Sequence, residues 1–443
     1  MKNVTENSKS RRPNRNTALA GSAWLLFVCA LIVGCGTPQH QTESQVAPVA
    51  QAAESTPVPP SSKPDAKPIP VPQTPVPEAK PISVPQAPAP GPKTPAPKPQ
   101  AIPTTNLKTD EHVLLFPTNA VYDKSSQRWK LNIHGWVYEP ETDSVWRVGL
   151  IKSLALFVGV KKNTADEQRF TQRTAMFLVD NERNKNIVLS TVTNTPTQHF
   201  SAPTTGANGH FEFDASLSQG QSQCSKWLTL NVRTNGGDHR NLKGQIQCLS
   251  HNGISVISDI DDTIKDSNVL DKKKLLKKTF LKEFSSVKGM STLYQHWSQL
   301  GYQFHYVSSS PWQLYPVLSD FIDTKSFPRG SMHLKLIRVK DKSIFNLMAT
   351  PEEGKMPTIT NLLGTYPQRR FILVGDSGER DADIYATVAK KYPGRIIKIY
   401  IHNVTDDKAR IEKIFAGLPT KQWVVFTNTS EILNQHALLN PGK

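Results

Sequence analysis

The stretch Ile254-Ser-Val-Ile-Ser-Asp259-Ile-Asp261-Asp262-Thr263-Ile264 decides the fold of the carboxyl-terminal part of the chain. Its beginning is an apolar, β-branched run of the kind found in strands that are buried on both faces, which is typical of a parallel sheet. Three carboxylates follow this run directly. Because burying an unpaired carboxylate costs several kcal/mol, we expect them at the carboxyl end of the strand, where a site opens.

Asp259 and Asp261 are two residues apart, so their side chains start on the same side of the strand. Two carboxylates this close need a cation, and Mg2+ is a hard ion that takes oxygen ligands. One carboxylate can attack an electrophile while the other transfers a proton. The alternative is a capped strand end at which Asp261 to Thr263 simply begin a helix.

Beyond Gly253, segments in which apolar residues have the spacing of strands alternate with segments in which they have the spacing of helices. Alternation of this kind predicts a doubly wound parallel α/β sheet for residues 251–443, with Asp259 on a central strand. The predicted strands are 254–259, 302–307, 332–337, 371–374, 396–401 and 423–426, and the predicted helices are 271–284, 290–300, 311–321, 356–363 and 382–390.

Residues 106–250 are predicted to form an all-β, sandwich-like domain, because short strand patterns alternate with Gly, Asn and Pro clusters. We assign this domain no chemistry, and docking to the catalytic domain or to a lipid surface are the two roles left open. His134 and Trp136 lie within an alternating pattern that favours packing over a ligand role. The predicted strands are 130–138, 155–160, 174–179, 210–214 and 228–232.

Residues 1–34 have the basic start, short apolar core and small residue before the break of a secretory signal. The sequence Ile32-Val33-Gly34-Cys35 resembles the bacterial lipobox, in which the cysteine becomes lipidated. We therefore expect a lipid anchor on Cys35 and an exported catalytic domain in the cell envelope, at the outer membrane if the source is Gram-negative. The alternative is an uncleaved signal anchor, although its apolar core is slightly short for a spanning helix.

Residues 35–105 are expected to form a disordered, Pro-rich linker, since they hold 20 of the 34 prolines and show no apolar period. The chain has a formal net charge of +16. A basic envelope protein suits anionic phosphates or lipid surfaces, and no nucleic-acid recognition motif is present. Of the four cysteines, Cys224 and Cys248 are left after export and lipidation, so we expect them to form a disulfide, with two buried free thiols as the alternative.

Four motifs together resemble a known superfamily. Asp259-x-Asp261-x-Thr263 resembles the first signature of the haloacid dehalogenase superfamily of phosphotransferases, and the other three signatures follow in order. More specifically, the chain is similar to the Mg2+-dependent phosphatidate phosphatases of the actin patch protein type, relatives of the lipins. The stretches that carry this resemblance are Ser258–Lys265, Tyr306-Val-Ser-Ser-Ser-Pro-Trp-Gln-Leu-Tyr-Pro316, Gly375-Asp-Ser-Gly-Glu-Arg-Asp-Ala-Asp-Ile-Tyr385 and His134-Gly-Trp-Val-Tyr-Glu-Pro140.

The resemblance implies a mechanism and a role for each matched residue. Asp259 would be the nucleophile that forms an aspartyl phosphate, and Asp261 would be the general acid and base. Mg2+ would be held by Asp259, the backbone carbonyl of Asp261, Asp376 and, through water or by orientation, Asp381. Phosphate would be bound by Thr263, Ser308 and Lys355, with Ser308 just before a helix that begins at Pro311. Rival lysines for the third signature are Lys335, Lys340 and Lys342.

The sequence thus predicts an Mg2+-dependent phosphatase that hydrolyses a phosphomonoester. The substrate that the resemblance implies is phosphatidate, which would be hydrolysed to diacylglycerol and phosphate. Alternatives are a phosphatase of another lipid or of a soluble envelope phosphoester, and a non-catalytic lipid-binding scaffold. A serine hydrolase site is excluded because the chain has no Gly-x-Ser-x-Gly motif. A dinucleotide-binding site is excluded because no Gly-rich turn follows the first strand of the parallel sheet. The basic run 272–282 is either a solvated helix face or an attraction site for anionic headgroups. The sequence leaves the oligomeric state open.

Overall fold

The computed structural model describes residues 105–140, 145–192, 197–218, 224, 226–337 and 352–433, all within the compact unit Ile102–Lys443. The predicted signal segment, Cys35 and most of the linker lie outside the described residues, as do Lys340 and Lys342. Within these ranges, no helix combines the length and the apolar character that crossing a membrane requires.

The amino-terminal part of the unit contains a largely antiparallel sheet. Its order is β1-β3-β2-β9-β8-β5-β6, with β4 and β7 also paired to β3, and the pairing of β2 with β9 is parallel. The strands are β1 His112–Leu115, β2 Thr118–Asp123, β3 Arg128–Glu139, β4 Asp180–Asn181, β5 Val188–Thr191, β6 His199–Ser201, β7 His210–Leu217, β8 Trp227–Val232 and β9 Lys243–Leu249.

Two helices interrupt this domain, so the all-β prediction was wrong at residues 155–160 and 174–179. Helix α1 spans Val145–Val158 and helix α2 spans Ala165–Thr174, followed by a 3₁₀ turn. In α1, Leu154 and Val158 are buried while Leu156 is exposed, which is helical rather than alternating spacing. A short apolar run does not by itself distinguish a strand from a helix, and this run was assigned the wrong period.

The carboxyl-terminal part contains the predicted parallel sheet. Its order is β12-β11-β10-β13-β14-β15, which places β10 in the interior as expected. Val256 and Ile257 are adjacent on β10 and lie in different apolar clusters, so this strand is buried on both faces. The strands are β10 Ile254–Ser258, β11 Gln303–Pro311, β12 Ser331–Lys335, β13 Arg370–Asp376, β14 Ile396–His402 and β15 Trp423–Phe426.

The five predicted helices are all present, but the helix between the last two strands and the final short helix were not predicted, and one predicted helix begins later than expected. Pro311 was expected to begin a helix, but it ends β11 in an extended conformation with ψ of 155°. A 3₁₀ turn follows, and the helix begins at Tyr315. The helices are α3 Lys272–Phe280, α4 Met290–Gln299, α5 Tyr315–Thr324, α6 Glu352–Thr365, α7 Asp381–Lys391, α8 Lys408–Ile414 and α9 Ser430–Leu433.

The two sheets share one apolar cluster, so the amino-terminal domain packs against the catalytic one. The Phe116 ring lies 4.0 Å from the Trp312 ring between centroids, and the Met332 N–H donates to the Pro117 carbonyl at 2.9 Å. His134 is buried there, as its packing role predicted, with its Nε2 3.0 Å from Nδ1 of His210. Of the two roles left open for this domain, the structure therefore shows the first.

Cys224 and Cys248 form the predicted disulfide, with Cys248 on β9. Both residues are buried in the apolar cluster of the amino-terminal sheet. The bond therefore ties Cys224 to strand β9 within the core of this domain.

Candidate active site

Two carboxylates lie at the carboxyl ends of neighbouring interior strands. Asp259 follows β10 directly, and its N–H donates to the carbonyl of Val374 on β13 at 2.9 Å. Asp376 is the last residue of β13. Both side chains are almost fully buried. The opening of a parallel α/β sheet at the ends of its central strands therefore contains a concentrated negative charge.

The loop after Asp259 is held in shape by Asp262. This residue has a positive φ of 52°, and its N–H donates to the carbonyl of Lys265 at 2.7 Å. Its carboxylate accepts the backbone N–H groups of Ser267, Asn268 and Val269 at 2.6 to 2.8 Å. Asp262 is thus the structural member of the acidic motif, and it leaves the other two carboxylates for chemistry.

Asp261 is paired with a buried lysine. Its Oδ1 accepts from Lys265 Nζ and from Ser267 Oγ, each at 2.6 Å, and its Oδ2 accepts from Ser310 Oγ at 3.0 Å. Burial alone would raise the pKa of Asp261, but the Lys265 charge and these hydrogen bonds outweigh it and lower the pKa. Asp261 is therefore held as a carboxylate next to the nucleophile candidate.

Lys355, in the first turns of α6, is the buried cation of the site. Its Nζ lies 3.0 Å from Asp259 Oδ1, 2.8 Å from Glu379 Oε2 and 2.7 Å from Asp381 Oδ1. Burial lowers the pKa of a lysine, but these three carboxylates together raise the pKa of Lys355 well above its usual value. Two candidates for the lysine of the third signature lie in the part of the chain that the structure describes. Lys355 lies among the carboxylates, whereas Lys335 is the last residue of β12.

Asp259, Asp376 and Glu379 fit a metal ion. Oxygen atoms of these three side chains lie within 4.8 Å of one another, and Oδ2 of Asp376 is buried without a hydrogen-bond partner. Burial and mutual repulsion raise the pKa of Asp376 well above its usual value. A hard divalent cation would relieve both the repulsion and the unsatisfied oxygen, because such ions prefer carboxylate ligands.

Asp381 contacts Lys355 and the backbone of Asp376, in keeping with the orienting role that was one of its two predicted roles. Its Oδ1 contacts Lys355, and its Oδ2 accepts the N–H of Asp376 at 3.3 Å. A Cβ atom at Gly375 would collide with the Asp381 carboxylate, so only glycine permits this approach. Asp381 therefore orients Lys355 and the end of β13. Glu379, which the sequence interpretation overlooked, joins the acidic cluster instead, although it stands within the quoted motif.

The predicted phosphate-binding hydroxyls lie beside these carboxylates. Thr263 Oγ1 donates to Asp259 Oδ2 at 3.4 Å, and Ser308 Oγ accepts the N–H of Ser310 at 3.1 Å. Since α5 begins only at Tyr315, Ser308 is not the residue that directly precedes a helix. The extended end of β11, which carries three consecutive serines, lies where the sequence predicted a helix N-terminus.

Residues 254–403 match the family model described as "Phosphatidate phosphatase APP1, catalytic domain". This segment is similar to a phosphatase catalytic domain. It contains every carboxylate, hydroxyl and lysine of the site described above, so the prediction of an enzyme is confirmed at the level of this domain.

Two fungal relatives are similar to part of the chain. Phosphatidate phosphatase APP1 of Saccharomyces cerevisiae is 36% identical over 157 residues, which cover 34% of this chain and 26% of the relative. An uncharacterized protein of Schizosaccharomyces pombe is 33% identical over 193 residues, which cover 43% of this chain and 30% of the relative. The chain thus spans less than a third of the length of either relative.

Proposed function

We propose that the protein is an Mg2+-dependent phosphatase that hydrolyses a phosphomonoester through an aspartyl-phosphate intermediate, with phosphatidate as the substrate. The observation that carries this proposal is the convergence of Asp259, Lys355 and the cluster of Asp376 and Glu379 at the ends of β10 and β13. A scaffold that only bound lipid would not need Asp261 as well, held ionised beside them.

Asp259 would act as the nucleophile. In the first step its carboxylate oxygen forms a bond to phosphorus while the bond between phosphorus and the ester oxygen breaks. Burial raises the pKa of Asp259 well above its usual value, and Lys355 acts against this shift. The 3.0 Å contact with Lys355 therefore favours the ionised form that attack requires.

Asp261 would move the protons. In the first step it gives a proton to the departing ester oxygen. In the second it takes a proton from the water that attacks phosphorus, while the bond between phosphorus and the Asp259 oxygen breaks and inorganic phosphate is released. Lys265 and Ser267 favour its ionised form, which suits the second step. An entering phosphate group adds negative charge beside Asp261, which favours its protonation and suits the first step.

Positive charge must balance the phosphoryl group as it meets a carboxylate. Lys355 supplies one charge from the chain itself, and Asp381 holds the lysine in position. Asp259, Asp376 and Glu379 would hold Mg2+, with the backbone carbonyl of Asp261 as a further candidate ligand. When bound, Mg2+ would neutralise charge that develops on the phosphoryl oxygens. Thr263 and the serines at the end of β11 would bind those oxygens.

Two observations favour phosphatidate over a soluble phosphoester. The S. cerevisiae relative is named a phosphatidate phosphatase, and the basic run 272–282 follows the first motif of the site. We also propose that Cys35 is lipidated and that residues 36–105 tether the catalytic domain to a membrane of the cell envelope. This placement brings the site close to lipid, although a tethered enzyme could equally serve a soluble envelope phosphoester.

A substrate panel tests the proposed function. The mature protein is assayed against phosphatidate in mixed micelles, lysophosphatidate and small soluble phosphomonoesters, with Mg2+ and with a chelator. We expect release of inorganic phosphate that requires Mg2+ and is fastest with phosphatidate. If a soluble ester is hydrolysed rapidly and phosphatidate is not hydrolysed, the proposed substrate is wrong. If no ester is hydrolysed in an Mg2+-dependent reaction, the proposed phosphatase function is wrong.

A further inference from the structure

Helix α1 exposes large apolar side chains on its outer face. Val145 is 85% exposed, Leu156 84% and Phe157 36%, while Leu154 and Val158 of the same helix are buried in the core. Helix α1 thus has one apolar side that packs inward and a second that meets solvent. Side chains this large and this exposed are more often part of an interaction site when they cluster than when they occur singly.

A strongly basic helix borders this face. Lys272, Lys273 and Lys274 of α3 are exposed, and Lys273 Nζ lies 5.5 Å from the centre of the Phe157 ring. The inner side of α3 is apolar and buried. Further along the same helix and just after it, Lys278 and Lys282 are bound to Asp266 and Asp166. Lys274 Nζ also lies 3.6 Å from Asp271 Oδ2, but that pair is solvent-exposed, so the accessible basic surface of the patch belongs to the first turn of α3.

Leu270 extends the apolar surface toward the candidate active site. It is 60% exposed and precedes α3. The N–H of its neighbour Val269 donates to the Asp262 carboxylate at 2.6 Å, within the motif that carries the nucleophile. Val269 also packs closely against Gly378, since a Cβ atom there would lie 2.6 Å from Val269 Cγ2. The exposed Leu270 thus directly follows a residue that is bound to the rim of the site.

We propose that Leu156, Phe157 and Leu270, together with Lys272, Lys273 and Lys274, form a surface that docks the catalytic domain on an anionic lipid bilayer. The apolar side chains enter the acyl region, and the ammonium groups bind headgroup phosphates. Protruding apolar side chains beside lysines are the combination that interfacial membrane binding requires. The benefit of docking for catalysis rests on the proposed function, but docking itself requires no hydrolysis.

Charge complementarity selects the lipid surface as the occupant. Lys152 on α1 and Lys161 and Lys162 just after it are also exposed, so lysines lie near the apolar side chains on both helices. An anionic bilayer presents negatively charged headgroups to all of these lysines, and its acyl interior lies beneath the headgroups.

Site-specific photocrosslinking tests the proposal in the full chain. A benzophenone amino acid replaces Leu156, and the protein is reconstituted in vesicles of phosphatidylglycerol and phosphatidylcholine or of phosphatidylcholine alone. The matched control places the same group at Val192, which is 45% exposed on the amino-terminal domain. Because both variants retain any anchor on Cys35, tethering affects them equally. Cooperative thermal unfolding reports that each variant is folded.

We expect lipid adducts at position 156 to exceed those at position 192 by at least about tenfold in anionic vesicles. Replacing Lys272, Lys273 and Lys274 by Gln should reduce the adducts at position 156 roughly tenfold or more, and salt should do the same. Equal adducts at both positions, or adducts at position 156 to protein instead of lipid in cells, would overturn the proposal.

The docking surface and the proposed function can fail separately. Phosphatidylglycerol is not a phosphomonoester, so the adducts do not depend on catalysis. Lipid adducts at position 156 without hydrolysis of phosphatidate would keep the docking surface and reject the substrate. Hydrolysis of phosphatidate without these adducts would reject the docking surface and keep the substrate.

Discussion

The ammonium group of Lys355 lies 3.0 Å from the Oδ1 atom of Asp259, in a site where both side chains are almost fully buried. Burial disfavours a charge on either group alone, and the contact stabilises both charges together. Glu379 and Asp381 hold the other side of the same ammonium group. The buried pair thus keeps a carboxylate available for attack and a positive charge available for the phosphate.

Glu379→Gln should weaken Mg2+ binding, because it removes one charged oxygen from the acidic cluster. We expect the Mg2+ concentration for half-maximal hydrolysis to rise at least about tenfold, and a calorimetric titration to show the same loss. Asp381→Asn is the matched control. It should slow turnover through Lys355 while leaving the Mg2+ requirement unchanged. The reverse pattern would return the metal role to Asp381.

The buried histidine pair should make folding sensitive to acid. Burial lowers the pKa of His134 to about 3 and that of His210 to about 4, so the folded state binds protons less readily than the unfolded state. Stability is therefore full above about pH 6.5 and falls as pH drops toward these values. At pH 5 each histidine should cost about 2 kcal/mol of the free energy of unfolding.

Urea unfolding of wild type and His134→Gln between pH 7 and pH 5 measures this effect. The variant should lose less stability over that interval, although it starts from a lower value at pH 7. Other buried groups titrate in both proteins and cancel in the comparison. Parallel losses of stability in the two proteins would contradict the assignment.

The disulfide between Cys224 and Cys248 should stabilise the amino-terminal domain. It closes a loop with a sequence separation of 24, worth about 3 kcal/mol in the chain-entropy model. Replacing both cysteines by serine should lower the free energy of unfolding by about this amount, and reducing agent should have little further effect on the variant. Free thiols on unreduced, denatured protein from the cell envelope would show that the bond does not form there.

Cys35→Ser should abolish the proposed lipid anchor, because serine cannot accept the thioether-linked lipid. We expect the variant to incorporate no radiolabelled palmitate. Equal incorporation by variant and wild type would contradict the proposal.

The sequence was sufficient to place the nucleophile candidate and the sheet around it. The apolar, β-branched run before Asp259 favours a strand buried on both faces, the alternation that follows predicts a parallel sheet, and the structure confirms both. The sequence showed a helical period only at about residues 150–156, and the end of α1 was predicted as a strand, because apolar side chains lie on its outer as well as its inner face. The extended end of β11 was missed because Pro311 suits both a helix start and a strand end.

Pairwise side-chain contacts were the least predictable part of the site. The motif 375–381 contains two candidate acids besides Asp376, and only the fold shows that both contact Lys355 while Glu379 alone also joins the acidic cluster. Lys265 likewise stands in the first motif, but its pairing with Asp261 depends on a turn that spacing alone does not define. His134 was assigned to the core, yet its partner His210 comes from a different strand.

The hydrolysis rate of Asp259→Asn tests the central claim most directly. The substitution is nearly isosteric and leaves the buried strand unchanged, so cooperative thermal unfolding should confirm that the variant is folded. Since asparagine cannot form the aspartyl phosphate, we expect hydrolysis of phosphatidate and of soluble phosphomonoesters to fall by several orders of magnitude. A folded variant that retains more than about one per cent of the wild-type rate would contradict Asp259 as the nucleophile.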